Sequence, residues 1–476
     1  YKISARAAGT TISSITVNGA LVPSLVSASG SDSGNGGSSV VGTYQVNVGL
    51  DTTATGAGWG VGTWGSDGWG QAATTPIVTN TLRIWSHDNF GEDLLINVRN
   101  GGIYYWDKTG GFATRAVNLS SLSGSTSAPT IAKQILVSDR DRHIIAFGCD
   151  TEANPGVQDP LAIRFSSQES LTDWATTAAN TAGELRLGSG SEIVAAVETR
   201  QQILVYTDES LYAMQFLGPP FTFGVNLVSE NITTMGPLSA VAVEDNVFWM
   251  GLKEFYVYGG TVQRLPCTVR DFVFDDFNIL QREKIVAATN TAFSEIWWFY
   301  PSASSDNNDR YVVYNYEQKV WYYGSLARSY WMDRGIFDNP IAAGPNNYLY
   351  TQESGFDDDG SALTAYIESS QLDIGDGEQF SFIRRMIPDL TFRGSTAGSP
   401  SANITVKTRN FPGGNYLQST SSAVTKSASV PVEQFTDQVN LRLRGRSFAV
   451  RIESTATGVG WRLGSPRLDI RPDGRR

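Results

Sequence analysis

The stretch LLINVRNGGIYYW (residues 94–106) sets two apolar runs on either side of the turn residues Asn100, Gly101 and Gly102. Paired apolar runs across such a turn are the sequence form of a β-hairpin. The form returns in HIIAFGCD followed by PLAIRF (143–165), ILVYTDESLYAMQF (203–216), VFWMGLKEFYVY (247–258), IWWFYPSASSDNNDRYVVYNY (296–316) and IAAGPNNYLYTQ (341–352). In most pairs the second run carries a central aromatic, at Tyr104, Tyr212, Tyr256, Tyr311 and Tyr348. Successive pairs are spaced irregularly by about 40 to 60 residues, near the length of a four-stranded blade. The pattern predicts an all-β chain built on a β-propeller of about six blades. Each blade has an apolar face that it cannot bury alone, and ring closure gives every blade a neighbour on both sides. A β-sandwich of the same length is the competing architecture.

The texture differs on either side of these pairs. Residues 1–78 are rich in Gly, Ser and Thr, with one strand predicted at 43–48. The propeller is expected over 79–362. Beyond Leu363 longer alternating runs appear, NLRLR at 440–444 and FAVRI at 448–452, in which one face is packed and one is wet. They predict a β-sandwich over 363–476 with an arginine-rich tail. The chain opens on Tyr1 without a methionine, so a preceding segment is expected.

Charged residues are 17% of the chain, below the roughly 25% usual for globular domains, while Gly (48) and aromatics (11%) are plentiful. That balance suits β-structure. The net charge is -11, unevenly spread. Residues 431–476 hold nine arginines against five acids, whereas 335–383 holds nine acids and neither Lys nor Arg. An acidic surface repels nucleic acid where a basic one would hold it. No run of 18 apolar residues is present, so no membrane span is expected.

Little in the chain looks catalytic. There are two histidines, His87 and His143, and two cysteines, Cys149 and Cys267, too far apart in sequence for a metal knuckle. No phosphate loop, zinc-protease or nucleophile-elbow motif occurs. The loop at 356–360 (FDDDG) has calcium-like chemistry, but its acids are adjacent where an EF-hand alternates them. Residues 66–69 (SDGW) compress the box of propeller sialidases and miss its spacing. No enzyme activity, cofactor or metal is expected.

Several stretches together resemble the virion structural proteins of short-tailed bacteriophages that form the tail hub or nozzle. They are TYQVNVGLDTTATGAGWGVGTWG (43–65), TLRIWSHDNFGEDLLINVRNGGIYYWD (81–107), QILVYTDESLYAMQFLGPPFTFG (202–224), GPLSAVAVEDNVFWMGLKEFYVYGG (236–260), TVRDF (268–272) and GWRLGSPRLDIRPDGRR (460–476). The resemblance spans nearly the whole chain and rests on texture without a catalytic signature. It implies a propeller-containing subunit of a homohexameric ring in the virion tail, below the portal and adaptor. Genomic DNA would leave through its channel with only passive contact, and tail fibre or spike proteins would be further partners. A carbohydrate-recognising tail module is the alternative.

Three groups of residues are expected to carry contacts. Trp59, Trp64 and Trp69 recur every five residues in a glycine-rich loop, a period of neither helix nor strand, and suit contact with a neighbouring subunit or a sugar, the alternative being a lid folded back over the chain's own core. Arg462, Arg467, Arg471, Arg475 and Arg476 suit docking on carboxylates. Glu353, Asp357, Asp358, Asp359, Glu368, Asp373, Asp376 and Glu378 are candidates for an acidic channel wall.

Overall fold

The structure, a computed structural model, describes residues 16–17, 20–21, 49–53, 82–112, 114–373, 377–411 and 426–475. The Trp-bearing loop and the strand expected at 43–48 lie outside the described residues. The chain is all-β and divides into two compact units, Tyr1–Gln352 and Glu353–Arg476. The hairpin Asp357–Asp358 with Ser361–Ala362 therefore belongs to the second unit.

The first unit contains six consecutive antiparallel sheets, each laid down in chain order. The first comprises Trp85–Phe90, Asp93–Val98, Ile103–Trp106 and Val117–Asn118. The second comprises Gln134–Val137, Ile144–Phe147, Ala162–Phe165 and Gly183–Arg186; the third Ile193–Glu198, Ile203–Thr207, Ser210–Gly218 and Thr222–Glu230. The fourth comprises Ala240–Val243, Asn246–Met250, Phe255–Tyr258 and Val262–Leu265; the fifth Val286–Asn290, Glu295–Tyr300, Arg310–Asn315 and Val320–Ser325. The sixth has three strands, Tyr330–Met332, Ile341–Ala343 and Leu349–Thr351.

Side-chain alternation explains how these sheets stack. In the fifth sheet Ile296, Trp298 and Tyr300 pack toward Phe248, Met250 and Phe255 of the fourth. The intervening Trp297 and Phe299 pack toward Trp331 and Ala342 of the sixth. Both faces are thus buried, and for that reason IWWFY reads as a continuous apolar run where a half-wet strand would alternate. Equivalent cores join the first and second sheets (Leu95, Ile103 with Ile135, Ile144), the second and third (Ile145, Phe147 with Val205, Met214) and the third and fourth (Leu204, Tyr206 with Val247, Trp249). An indole such as Trp298 removes on the order of 200 Å² from water, worth about 5 kcal/mol before entropy is counted.

Hydrogen bonds join the first strands of neighbouring sheets or the residues just before them. Gln134 of the second sheet donates to the Ala196 carbonyl at 2.7 Å and accepts from the Ala196 N–H at 2.8 Å in the third. The Ala287 N–H donates to the Leu238 carbonyl at 2.7 Å, fourth to fifth. The Trp331 indole donates to the Thr289 carbonyl at 2.9 Å, sixth to fifth. His87 of the first sheet and Tyr330 of the sixth place their rings 6.5 Å apart.

In the second unit two antiparallel sheets enclose one core. One runs Ala365–Glu368, Ser447–Ser454, Ser401–Arg409, Lys426–Glu433, and the other Val439–Gly445, Ser381–Ile387, Arg467–Pro472. Ile404, Val406, Val450 and Ile452 meet Ile383, Met386, Leu441 and Leu443 between them. A β-bulge between Ile383 and Arg385 breaks the alternation, so Arg384 and Arg385 are both exposed.

Candidate functional site: a carboxylate-lined cleft

Five of the six sheets carry an acid within, at the end of, or shortly after their first strand; the first strand of the fifth does not. Asp88 lies within the first strand of the first sheet, Asp139 follows that of the second, Glu198 ends that of the third, Glu244 follows that of the fourth and Asp333 follows that of the sixth. Three of these carboxylates accept from a neighbouring sheet's backbone. Asp88 accepts from the Val137 N–H at 2.8 Å, Glu198 from the Asp139 N–H at 3.0 Å, and Asp333 from the Thr291 N–H at 3.0 Å.

Two adjoining cavities of about 640 Å³ each open here. One is lined by Asp139, Arg140, Glu198, Arg200 and Glu244, the other by Glu244, Thr289, Thr291, Ser294, Tyr316 and Glu317. Glu244 borders both and holds a left-handed backbone at φ 56°, a region Asn or Gly enters at lower cost. Burial is the main cause pushing the Glu198 carboxyl up to about 7, and the charges of Asp139, Asp88 and Asp141 add to it. Burial raises Asp88 as well, against the hydrogen bonds it accepts from Val137 and Asn89. Three carboxylates share the first cavity with Arg140 and Arg200, so its lining is of mixed charge. Among the described residues no three His, Cys, Asp or Glu gather closely enough to hold a metal ion, and the loop at 357–359 is included in that statement.

The residues singled out from the sequence are placed as follows. Trp59, Trp64, Trp69, Asp376 and Arg476 lie outside the described residues. Arg462 is exposed on the strand pair Leu390–Thr391 with Arg462–Leu463. Arg467 and Arg471 project from one strand, Arg467–Pro472, with Arg471 at 3.8 Å from Asp469. Arg475 lies 4.0 Å from Glu378. The acidic run is divided: Asp338 belongs to the first unit and the other acids to the second. Asp357 accepts from the Gly458 N–H at 2.6 Å, while Asp358 and Asp359 are exposed in the same hairpin, as are Glu353 and Asp373 elsewhere. Burial would raise Glu368, but its bonds to Lys407 at 2.8 Å and Arg451 at 3.2 Å outweigh that and hold it below the usual carboxylate range. Several acids of the run are therefore engaged by their own unit.

His143 is fully buried against Phe165, Phe216 and Phe223 with Nε2 at 3.2 Å from Thr181 Oγ1, and burial lowers its pKa. Burial pushes the Cys267 thiol up to about 11 and Cys149 higher still. Both are poor nucleophiles at neutral pH. Sequence reading missed Asp88, Asp139, Glu198 and Glu244 as a group, because the first strands that align them were not recognised. Lining up QILV, IVAAVE and AVAV would have exposed the acid at or after each end.

No family model matches this chain, and no curated protein matches it. Among solved structures it is similar to a crystal structure of the computationally designed Ika8 protein, at 11% identity over 56% of this chain and 69% of that one. The TM-score is 0.34, and a likeness at that level carries no argument.

Proposed function

We propose that this chain is a structural subunit of the tail hub or nozzle of a short-tailed bacteriophage, assembling as a homohexameric ring around a channel for the genome. Its first unit is a propeller of about six blades and its second a β-sandwich. The observation that carries the reading is the succession of six sheets, each packed on the next through its first strand and its inner faces. One contact supports closure: His87 and Tyr330 bring the first and sixth sheets together.

Such a subunit works by shape and charge rather than by turnover. Acid in excess on the first unit favours passage of DNA over adhesion. The test is native mass spectrometry of the purified full chain. The reading expects a species about six times the 51.6 kDa chain mass. A monomer at all concentrations, or selective capture of one saccharide class on a glycan array, would favour the carbohydrate-binding alternative.

A further inference from the structure

The second unit treats its two outer faces differently. On the sheet containing Ser401–Arg409, outward charges neutralise one another: Lys407 and Arg451 both bind Glu368, and Arg451 also donates to Glu453 at 2.7 Å. The opposite sheet is neutralised only in part: Arg385 and Arg471 share Asp469 and Arg444 pairs with Asp473, while three further arginines have no such acid. Its core side is formed by Ile383, Met386, Leu441, Leu443, Leu468 and Ile470, so alternation turns Arg442 and Arg444 outward from one strand and Arg467 and Arg471 from another. The bulge adds Arg384 and Arg385 from the strand between them. Register sets Arg444, Phe382 and Arg471 in one row across the three strands.

Neighbouring strands are about 4.8 Å apart, so six guanidiniums share a small area. Asp469 is the one acid among the outward residues of these three strands, 3.3 Å from Arg385 and 3.8 Å from Arg471, and Asp473, just past the last of them, pairs with Arg444. Arg384, Arg442 and Arg467 are exposed and have no partner among the described residues. Like charges gathered on a rigid face work against the fold that holds them, and a self-neutralised face lies on the other side of the same core. No lysine is present on the arginine face. Arginine is enriched and lysine depleted at protein interfaces, because the planar fork meets carboxylates in pairs with little ordering cost.

Charge complementarity names the occupant. The first unit carries 33 acids against 21 Lys and Arg, a net of -12, while the second carries 14 against 15. We infer that the arginine face of the second unit docks on the acidic first unit of a second copy of this chain. Because the two surfaces differ, the contact is head-to-tail, the kind that closes a ring when the rotation permits. The inference rests on the ring reading above and assigns the surface that builds it.

The test is sedimentation velocity on the full chain at about 0.1 M and about 1 M salt, between which the Debye length falls from about 10 Å to about 3 Å. Wild type is expected to assemble at low salt and to weaken at least about tenfold at high salt. Arg442→Glu with Arg467→Glu should remain monomeric at low salt with an unchanged melting temperature, and Arg393→Glu, outside that sheet, should assemble normally. If the double variant assembles like wild type, the inference fails and the ring stands. If it assembles but loses duplex DNA that wild type retains in a mobility shift, the face is a nucleic-acid contact and the inference is likewise overturned. A wild type that is monomeric at every salt concentration overturns the ring as well.

Discussion

Glu244 and Glu198 border the same cavity but bear on stability through different physics. At Glu244 the term is backbone: its φ of 56° is disfavoured for a side chain with a Cβ, by about 1 kcal/mol. Glu244→Gly is therefore expected to stabilise the protein by about 0.5 to 1 kcal/mol in chemical denaturation. A loss of stability would show that the carboxylate itself supports the fold. At Glu198 the term is protonation. Its folded pKa of about 7 exceeds the ordinary 4.5, so the folded state holds a proton that the unfolded state has released. The resulting stability is complete below about pH 4.5 and is lost as pH rises through 7. His143, lowered by burial below its ordinary 6.5, has the opposite slope in an overlapping window, so the comparison that matters is wild type against Glu198→Gln. The variant should flatten the decline between about pH 5 and 8, and an identical pH profile for both would contradict the assignment. None of this was legible from residue type alone in a chain with 47 acids. The positions gain meaning only once five strand ends are brought side by side.

The hairpins of the first unit were legible because their strands are buried on both faces and so carry dense apolar runs. The first five predicted pairs correspond to the two central strands of one sheet, as 203–216 does in the third and 296–316 in the fifth; the sixth pairs the central and an edge strand of a three-stranded sheet. The flanking strands were not read. VQRL and GELR are outer strands with half their residues wet, and AVAV is short and rich in small side chains. Among the five aromatics expected at strand centres, Tyr348 instead precedes the strand Leu349–Thr351 and is 67% exposed. The sheets it cannot reach are held by residues such as Trp298, fully buried between the fourth and fifth sheets and donating to the Ser239 carbonyl at 3.1 Å. Trp298→Ala should cost about 3 to 5 kcal/mol, through lost burial and a cavity, since the Ser239 carbonyl keeps the Met250 N–H as a donor. A cost below about 1 kcal/mol would mean that adjacent sheets do not depend on each other for their core.

At the scale of the whole molecule, the all-β class followed from composition and pairing, while the distribution of charge did not follow from the sequence runs that suggested it. The acid run at 335–383 is shared between two units and partly neutralised by Lys407, Arg451 and Arg475. Of the arginine-rich end, Arg442, Arg444, Arg467 and Arg471 share one sheet face, where Arg384 and Arg385 from outside that end join them, while Arg451 lies on the other sheet and Arg462 on a separate strand pair. Linear runs mislead here because a β-strand sends successive side chains to opposite faces. What counts is the face. If the arginine faces are consumed at contacts between copies, the surface left to line the channel is dominated by acids. The central claim, a ring subunit whose channel lets DNA pass, is tested most directly by electron cryomicroscopy of the assembled full chain. The account predicts a closed ring of about six copies with an axial channel in which Asp and Glu outnumber Lys and Arg, and the arginine face buried between copies. An open or monomeric particle, or a channel wall dominated by Lys and Arg, would contradict it.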